Sequence, residues 1–195
     1  TFRKIIKDEF NLHFDVQQGS VMRPESTRTH SKVLAQIMFS LGIPESPKSH
    51  RLSFSNNLLC LSNRLLSNYL AGLYDTDGSV VIRKTKGSNC IDLTTCSEKL
   101  ARQLQLVLLR FNIHATLRKR APSTGKIKGK YDKWILEIRG IEQIKQFFKE
   151  IKLRHPEKRR KLEQQINNLI KGNTNIDIIP NVTEKLKEII EKNNI

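Results

Sequence analysis

Leu70-Ala71-Gly72-Leu73-Tyr74-Asp75-Thr76-Asp77-Gly78 is the stretch on which the reading of this chain turns. Ala71 and Gly72 are small and lie in the last turns of an otherwise apolar helix, where small side chains let two helix backbones approach closely. Asp75 and Asp77 follow near the helix C-terminus, and Gly78 lets the chain turn sharply into a strand. A carboxylate there faces the negative end of the helix dipole, which is unfavourable without a cation. A divalent metal on oxygen ligands meets that need, and magnesium suits it because it keeps waters and binds phosphate. Asp75-Thr76-Asp77-Gly78 alone reads better as an ordinary turn, since Asp and Gly are common turn formers. The nine residues together change that balance.

Working outward, apolar spacing predicts a helix over residues 62–74 leading into this segment. A strand, Ser79–Thr85, follows, then a Lys-Gly-Ser-Asn turn and a strand at Cys90–Thr95. Ser97 reads as the N-cap of a helix from Glu98 to Arg110, with Leu100, Leu104, Val107 and Leu108 on its apolar face. Extended segments at His114–Arg120 and Lys133–Arg139 are joined by a loop rich in Lys, Gly, Ser and Pro. Helices over 141–151 and 156–171 come next, then a tail in which Pro180-Asn181-Val182 precedes a last helix, Thr183–Lys192.

On the N-terminal side, residues 1–10 read as the end of a helix, and extended segments lie at His13–Gln17 and Val21–His30. A helix over 31–41 presents Val33, Leu34, Ile37, Met38 and Leu41 on one face, and Gly42-Ile43-Pro44 stops it. Residues 45–56 are rich in Ser, Pro and Asn and read as linker. Phe10-Asn11-Leu12-His13 resembles Phe111-Asn112-Ile113-His114 at an offset of 101, and the same strand–strand–helix order follows each match. That shared order points to two duplicated units. The second is preceded by Leu70–Gly78, which ends 33 residues before Phe111, whereas only nine residues precede Phe10, so the first unit's equivalent segment is missing.

Charge narrows the partner. Thirty-five Lys and Arg against 19 Asp and Glu give a formal +16, a field that favours a polyanion, most commonly nucleic acid. Cys60, Cys90 and Cys96 are an odd set without C-x-x-C spacing, which argues against a disulfide framework or zinc site and suits a reducing intracellular setting, cytoplasm or nucleoid. No two of the five histidines pair at i, i+4, so a helical zinc motif is absent. No apolar run approaches the ~18 residues of a membrane span. Thr1-Phe2-Arg3-Lys4 does not open a signal peptide.

The nine-residue segment resembles the signature of the LAGLIDADG homing endonucleases, matching at Leu70, Ala71, Gly72, Leu73, Asp75, Asp77 and Gly78, with Ser79-Val80-Val81 continuing as the typical first strand. Asn175-Ile176-Asp177-Ile178-Ile179-Pro180-Asn181-Val182 is similar to the segment that comes after the nuclease in archaeal inteins, so the chain resembles the second half of an archaeal intein-encoded enzyme. The resemblance implies an α+β fold of αββαββα units whose antiparallel sheets form a DNA-binding saddle, here one complete unit and a partial preceding one. It implies Asp77 as metal ligand and catalytic carboxylate, with Mg2+ or another divalent cation, and Asp75 as the residue holding the helix end. It implies a basic residue near each active centre. Lys158, in His155-Pro156-Glu157-Lys158, is the match on one side, and Arg51 or Lys48 is the candidate on the other. The helix interface would use Leu66, Leu70, Ala71, Gly72 and Leu73.

The strands supply the expected DNA surface. Alternation puts Val80 and Ile82 on one side and Val81, Arg83 and Thr85 on the other; Ile91 and Leu93 inward, Asp92 and Thr94 outward. Thr116, Arg118 and Arg120, with His114, share the outward side with Lys133, Ile135, Glu137 and Arg139, leaving Trp134, Leu136 and Ile138 as core. This polar, largely basic face suits readout of base edges in the major groove, while Lys84, Lys86, Lys126, Lys128 and Lys130 would contact phosphates.

The expected division is a partial first unit (1–44), a linker (45–61), a complete unit (62–171) and a tail (172–195). The expected function is metal-dependent, site-specific cleavage of double-stranded DNA; the alternative is a DNA-binding module, a regulator or RNA-splicing cofactor, without cleavage. One signature segment is half of an active site, so a second helix must come from a homodimer partner or from a missing N-terminal segment. Self-splicing is not expected, because the chain begins Thr1-Phe2 and ends Asn193-Asn194-Ile195.

Overall fold

The computed structural model describes residues 2–13, 15–19, 26–82, 89–122, 124, 129–167 and 192. The expectations for Arg83, Lys84, Thr85, Lys86, Lys126, Lys128, residues 21–25 and 168–171, and the tail except Lys192 lie outside these residues.

Helix α1 (Phe2–Phe10) leads into a two-stranded antiparallel ladder, β1 (Asp15–Gln17) with β2 (Ser26–Arg28), followed by α2 (Lys32–Ser40). A short helix α3 (Asn56–Leu59) precedes α4 (Asn63–Thr76). Then come β3 (Gly78–Val81), β4 (Cys90–Thr95), α5 (Glu98–Leu109), β5 (Thr116–Arg120), β6 (Lys133–Arg139), α6 (Ile141–Glu150) and α7 (Pro156–Asn167). From α4 to α6 this is one αββαββα unit. Its four strands form an antiparallel sheet in the order β3-β4-β6-β5.

The helices form where local signals agree with burial. In α4 the residues Leu66, Leu70, Ala71 and Tyr74 share a buried face. Ser97 caps α5, its Oγ accepting the Leu100 N–H at 3.2 Å, and Leu100, Leu104, Val107 and Leu108 are buried as the periodicity requires. At the other end of α5 the Ile113 N–H reaches back to the Leu108 carbonyl, and Asn112 takes φ +56°. Asn is tolerated in the left-handed region better than most residues, and in this 6→1 bond one of the last helix carbonyls accepts the Ile113 N–H.

Asn11 occupies the matching place after α1, with φ +49°. Among the described residues these two asparagines are the positive-φ positions that are not glycine, and they fall at the same step of the repeat. The ladders and helices after them also correspond: β1, β2 and α2 follow Asn11 as β5, β6 and α6 follow Asn112. Gly42, at φ +95°, ends α2 as expected, and a Cβ there would collide with the Ser53 carbonyl oxygen.

One face of the four-stranded sheet carries Val80, Ile91, Leu93, Leu136 and Ile138, packed with α4, α5 and α6 into a single core with Phe54, Leu58, Phe111, Ile113 and Phe147. The stretch read as linker therefore contributes to this core. Phe54 and Leu58 are buried, the Phe54 backbone exchanges hydrogen bonds with the Gln103 amide at 2.9 and 3.2 Å, and Ser97 Oγ donates to the Leu52 carbonyl. The low-complexity composition hid two well-spaced apolar side chains. Helix α2 buries none of its residues; Val33, read as part of its apolar face, is 63% exposed. Among the described residues no helix is long and apolar enough to cross a membrane.

Candidate functional site

The signature segment ends α4 and begins β3 without a spacer. Asp77 is the C-cap, its N–H donating to the Leu73 and Tyr74 carbonyls, and Gly78 already belongs to the strand. Glycine is required there. A Cβ would lie 2.6 Å from Tyr74 Cδ1, 2.7 Å from the Tyr74 carbonyl oxygen and 2.9 Å from Tyr74 Cα. The Tyr74 ring is buried and meets Phe147 edge-on at 4.9 Å, so it has nowhere to yield. Burial, and then the charge of Asp92, push the Tyr74 phenol well above its usual range.

The two aspartates part ways. The Asp75 carboxylate accepts the Arg154 N–H at 2.9 Å and the His155 N–H at 3.1 Å, gripping the backbone that leads into α7. In return Lys158, on α7, donates from Nζ to the carbonyls of Tyr74, Asp75 and Thr76 at 2.9, 2.6 and 3.3 Å. This reciprocal clasp joins the end of α4 to residues about 80 positions away. The Asp75 assignment, holding the helix end, matches this contact. Lys158 sits at the same helix end, with its three donors directed to backbone carbonyls. Asp77, by contrast, is exposed, and among the described residues nothing hydrogen-bonds to its carboxylate. An unpaired carboxylate at the negative end of a helix fits a cation ligand.

Arg51 is exposed and lines a surface cavity of about 460 Å³ with Phe39, Gly42, Pro44, Glu45 and Ser53, a lining that contains no residue of α4. Lys48 is exposed in the preceding turn.

The interface residues divide differently from the expectation. Leu66 and Leu70 have no exposed surface and Ala71 very little, because they form the core face of α4. They are unavailable to a second helix. The open face carries Leu65 (45% exposed), Asn68, Gly72 and Thr76, with Leu73 half-buried at its border. A Cβ at Gly72 would meet nothing within 4 Å. Spacing showed that Leu66 and Leu70 share a face of α4, and burial shows that this face packs inward.

The other face of the sheet holds the expected DNA-contacting side chains. Register aligns Ser79, Asp92, Glu137 and Thr116 in one row, and Thr94, Ile135 and Arg118 in the next. Thr94, Thr116, Arg118, Arg120 and Arg139 are exposed, and Lys133 is half-buried. Lys130 is exposed, with Nζ 5.6 Å from the Tyr131 ring centre. His114 precedes β5 instead of lying on it; it is exposed, and its N–H donates to Gln143 Oε1. Ile82, read on the Val80 side, lies beyond β3 and is exposed. Trp134, expected in the core, is half-buried at the sheet margin, with Arg102 5.4 Å and Lys119 5.8 Å from its ring centre.

Ile135 and Glu137, read as outward, are 7% and 4% exposed. They lie on β6, an inner strand shielded by neighbours on both sides. Glu137 accepts from Arg118 Nη2 at 2.6 Å on one oxygen and from Arg139 Nη2 and Nε at 2.8 and 3.0 Å on the other. Burial works to raise its pKa, but the bonds and charges of Arg139 and Arg118 outweigh it and hold the carboxyl below the ordinary range. Beside it, burial raises the Asp92 pKa; a Ser79 hydrogen bond opposes this, Glu137 adds to it and Arg118 opposes it.

Cys90, Asp92 and Glu137 bring possible ligand atoms within 4.8 Å of one another. A cation does not suit this group, because both oxygens of Glu137 already face guanidinium groups. The sequence reading missed the Glu137 cluster; the signal was Arg118, Glu137 and Arg139 on one face of two extended segments, which is informative only once the strands are known to pair.

Comparison with known proteins agrees with this geometry. Residues 64–152 match the family model of the LAGLIDADG-like domain. The chain is 34% identical over 164 residues to the ATP-dependent DNA helicase Hel308 of Methanocaldococcus jannaschii, covering 74% of this chain and 13% of that protein. It is 23% identical over 188 residues to elongation factor 2 of Methanopyrus kandleri, covering 95% and 13%. It is 32% identical over 158 residues to the replicative DNA helicase DnaB of a Nostoc species, covering 79% and 17%. The chain thus spans less than a fifth of the length of each of these relatives. With the signature helix, the αββαββα order and the family match over one stretch, this chain contains a LAGLIDADG homing-endonuclease-type domain.

Proposed function

We propose that this chain supplies half of a site-specific, metal-dependent DNA endonuclease of the homing type. One observation carries the reading: Asp77 is exposed at the end of α4 and among the described residues nothing hydrogen-bonds to its carboxylate, while Gly78 and the Asp75–Lys158 clasp on either side of it are held. Asp77 is the residue that would hold the cation, and magnesium or a similar divalent ion would supply water activation and charge stabilisation for phosphodiester hydrolysis. Lys158 and Asp75 position that carboxylate by tying the helix end. The basic sheet face, with Arg118, Arg120, Lys133 and Arg139, receives the duplex.

A second signature helix packs on the Leu65, Gly72 and Thr76 face, from another copy or from sequence preceding Thr1. The relatives bear names of different activities, yet each matches over a small part of its length. This supports a nuclease segment carried inside unrelated hosts, as in an intein, and their own activities are not assigned to this chain. A non-cleaving DNA-binding module is the second reading, favoured by the commitment of all three Lys158 donors to carbonyls.

Supercoiled plasmids carrying a randomised insert, incubated with magnesium, test the proposal. Nicking or cutting by the unmodified chain that disappears in Asp77→Asn is expected. Absence of magnesium-dependent nicking or cutting both by the unmodified chain and by the chain supplied with a second signature helix would overturn the enzyme reading, and retained DNA binding would then select the second.

A further inference from the structure

We propose that Arg118 reads a guanine in the DNA target and that Glu137 is the positioning residue that aims it. The proposal rests on the reading of the sheet as the DNA-binding face and deepens it by naming a base and a device.

Glu137 is a buried carboxylate on the face that is otherwise most polar. Burying a charge is costly unless it is paired and hydrogen-bonded, and this one is held on both oxygens. Its strand is interior, between β4 and β5, so the carboxylate is a fixed anchor. Arg118 lies diagonally across on β5, where the pairing is Arg118 with Ile135 and Thr116 with Glu137. It gives Glu137 one hydrogen bond, from Nη2, and its side chain remains 59% exposed.

An arginine fork has five N–H donors in one plane. One is spent on the anchor, which restrains the fork, and more than half of the side chain stays exposed. Guanine O6 and N7 in the major groove accept a bidentate arginine, the commonest specific contact of this kind. Because Arg118 is tethered by this bond, less conformational freedom is lost on binding than for an untethered side chain. Arg139 supplies the second cation that keeps Glu137 ionised while Arg118 engages the base.

The test is selection from a pool of duplexes with a randomised stretch, using the full chain, with affinity for bulk duplex measured in parallel. The unmodified chain is expected to enrich guanine at one fixed position. Arg118→Ala loses that enrichment by roughly tenfold or more. Glu137→Gln loses it at the same position, while preferences elsewhere and affinity for unselected duplex stay within about twofold. Guanine enrichment that survives Glu137→Gln overturns the positioning role, and a loss spread evenly over all positions overturns it equally. If Glu137→Gln fails to fold, Arg118→Ala decides: retained guanine enrichment overturns the proposal. Failure of the unmodified chain to enrich any base overturns the DNA-reading face itself, an outcome separate from the others.

Discussion

Lys158→Met separates a lysine that holds a helix end from one that only takes part in chemistry. The ammonium donates to three carbonyls of the last turn of α4 at 2.6 to 3.3 Å, in a partly buried setting. Hydrogen bonds involving a charged group contribute ~1.5–3 kcal/mol, and a cation at a helix C-terminus contributes up to about 2 kcal/mol in partly buried geometry. These overlap, and the ordering of a long side chain offsets part of them, so the expected loss is about 2–3 kcal/mol. For a chain of this size that lowers Tm by roughly 4–12 °C. Methionine keeps the aliphatic stem, so the loss reports the ammonium. Urea unfolding at pH 7 measures it, and Lys158→Arg should recover part of it. Stability of the Met variant within about 0.5 kcal/mol of the unmodified chain would refute the clasp.

Two glycines six residues apart should respond in opposite ways. Gly78→Ala drives a Cβ to 2.6–2.9 Å from Tyr74 and should cost ~1–3 kcal/mol in urea unfolding. Gly72→Ala enters open space on a helix and should raise stability by ~0.5–1 kcal/mol. Because a paired helix would close that space, the same variant should weaken self-association in sedimentation. A pH series tests the Glu137 anchor: its pKa lies below the ordinary 4.5 because Arg139 and Arg118 outweigh the effect of burial. A depressed carboxylate stabilises the fold above its unfolded pKa and loses that contribution as pH falls through the folded value. The stability gap between the unmodified chain and Glu137→Gln should therefore be full at pH 7 and shrink below pH 4.5; a constant gap down to pH 3 would contradict the assignment.

Much of the fold was legible because it is written in short-range pattern. The Ser97 cap, the apolar stripe of α5, the bounds of β4 and the Gly42 stop depend on residues a few positions apart. The four-residue match between Phe10–His13 and Phe111–His114 has a backbone counterpart in the shared left-handed conformation of Asn11 and Asn112. Phe54 and Leu58 were missed because a polar composition outweighed two apolar side chains that dock on α5. Leu66 and Leu70 were assigned to an interface because helical spacing shows that they share a face but not what that face packs against.

By itself, the sequence determined the kinds and order of most elements, α3 excepted, and the place of Asp77 at a helix end, since these follow from helix and strand periods. Tertiary structure alone decided that Lys158 closes the end of α4 from across the fold, that α4 turns Leu66 and Leu70 inward while leaving Gly72 open, and that Glu137 is buried between two arginines. The physical reason is strand order. β6 enters between β4 and β5, which shields Glu137 on both sides and sets it diagonally from Arg118 on β5, and no local propensity encodes which neighbour a strand acquires.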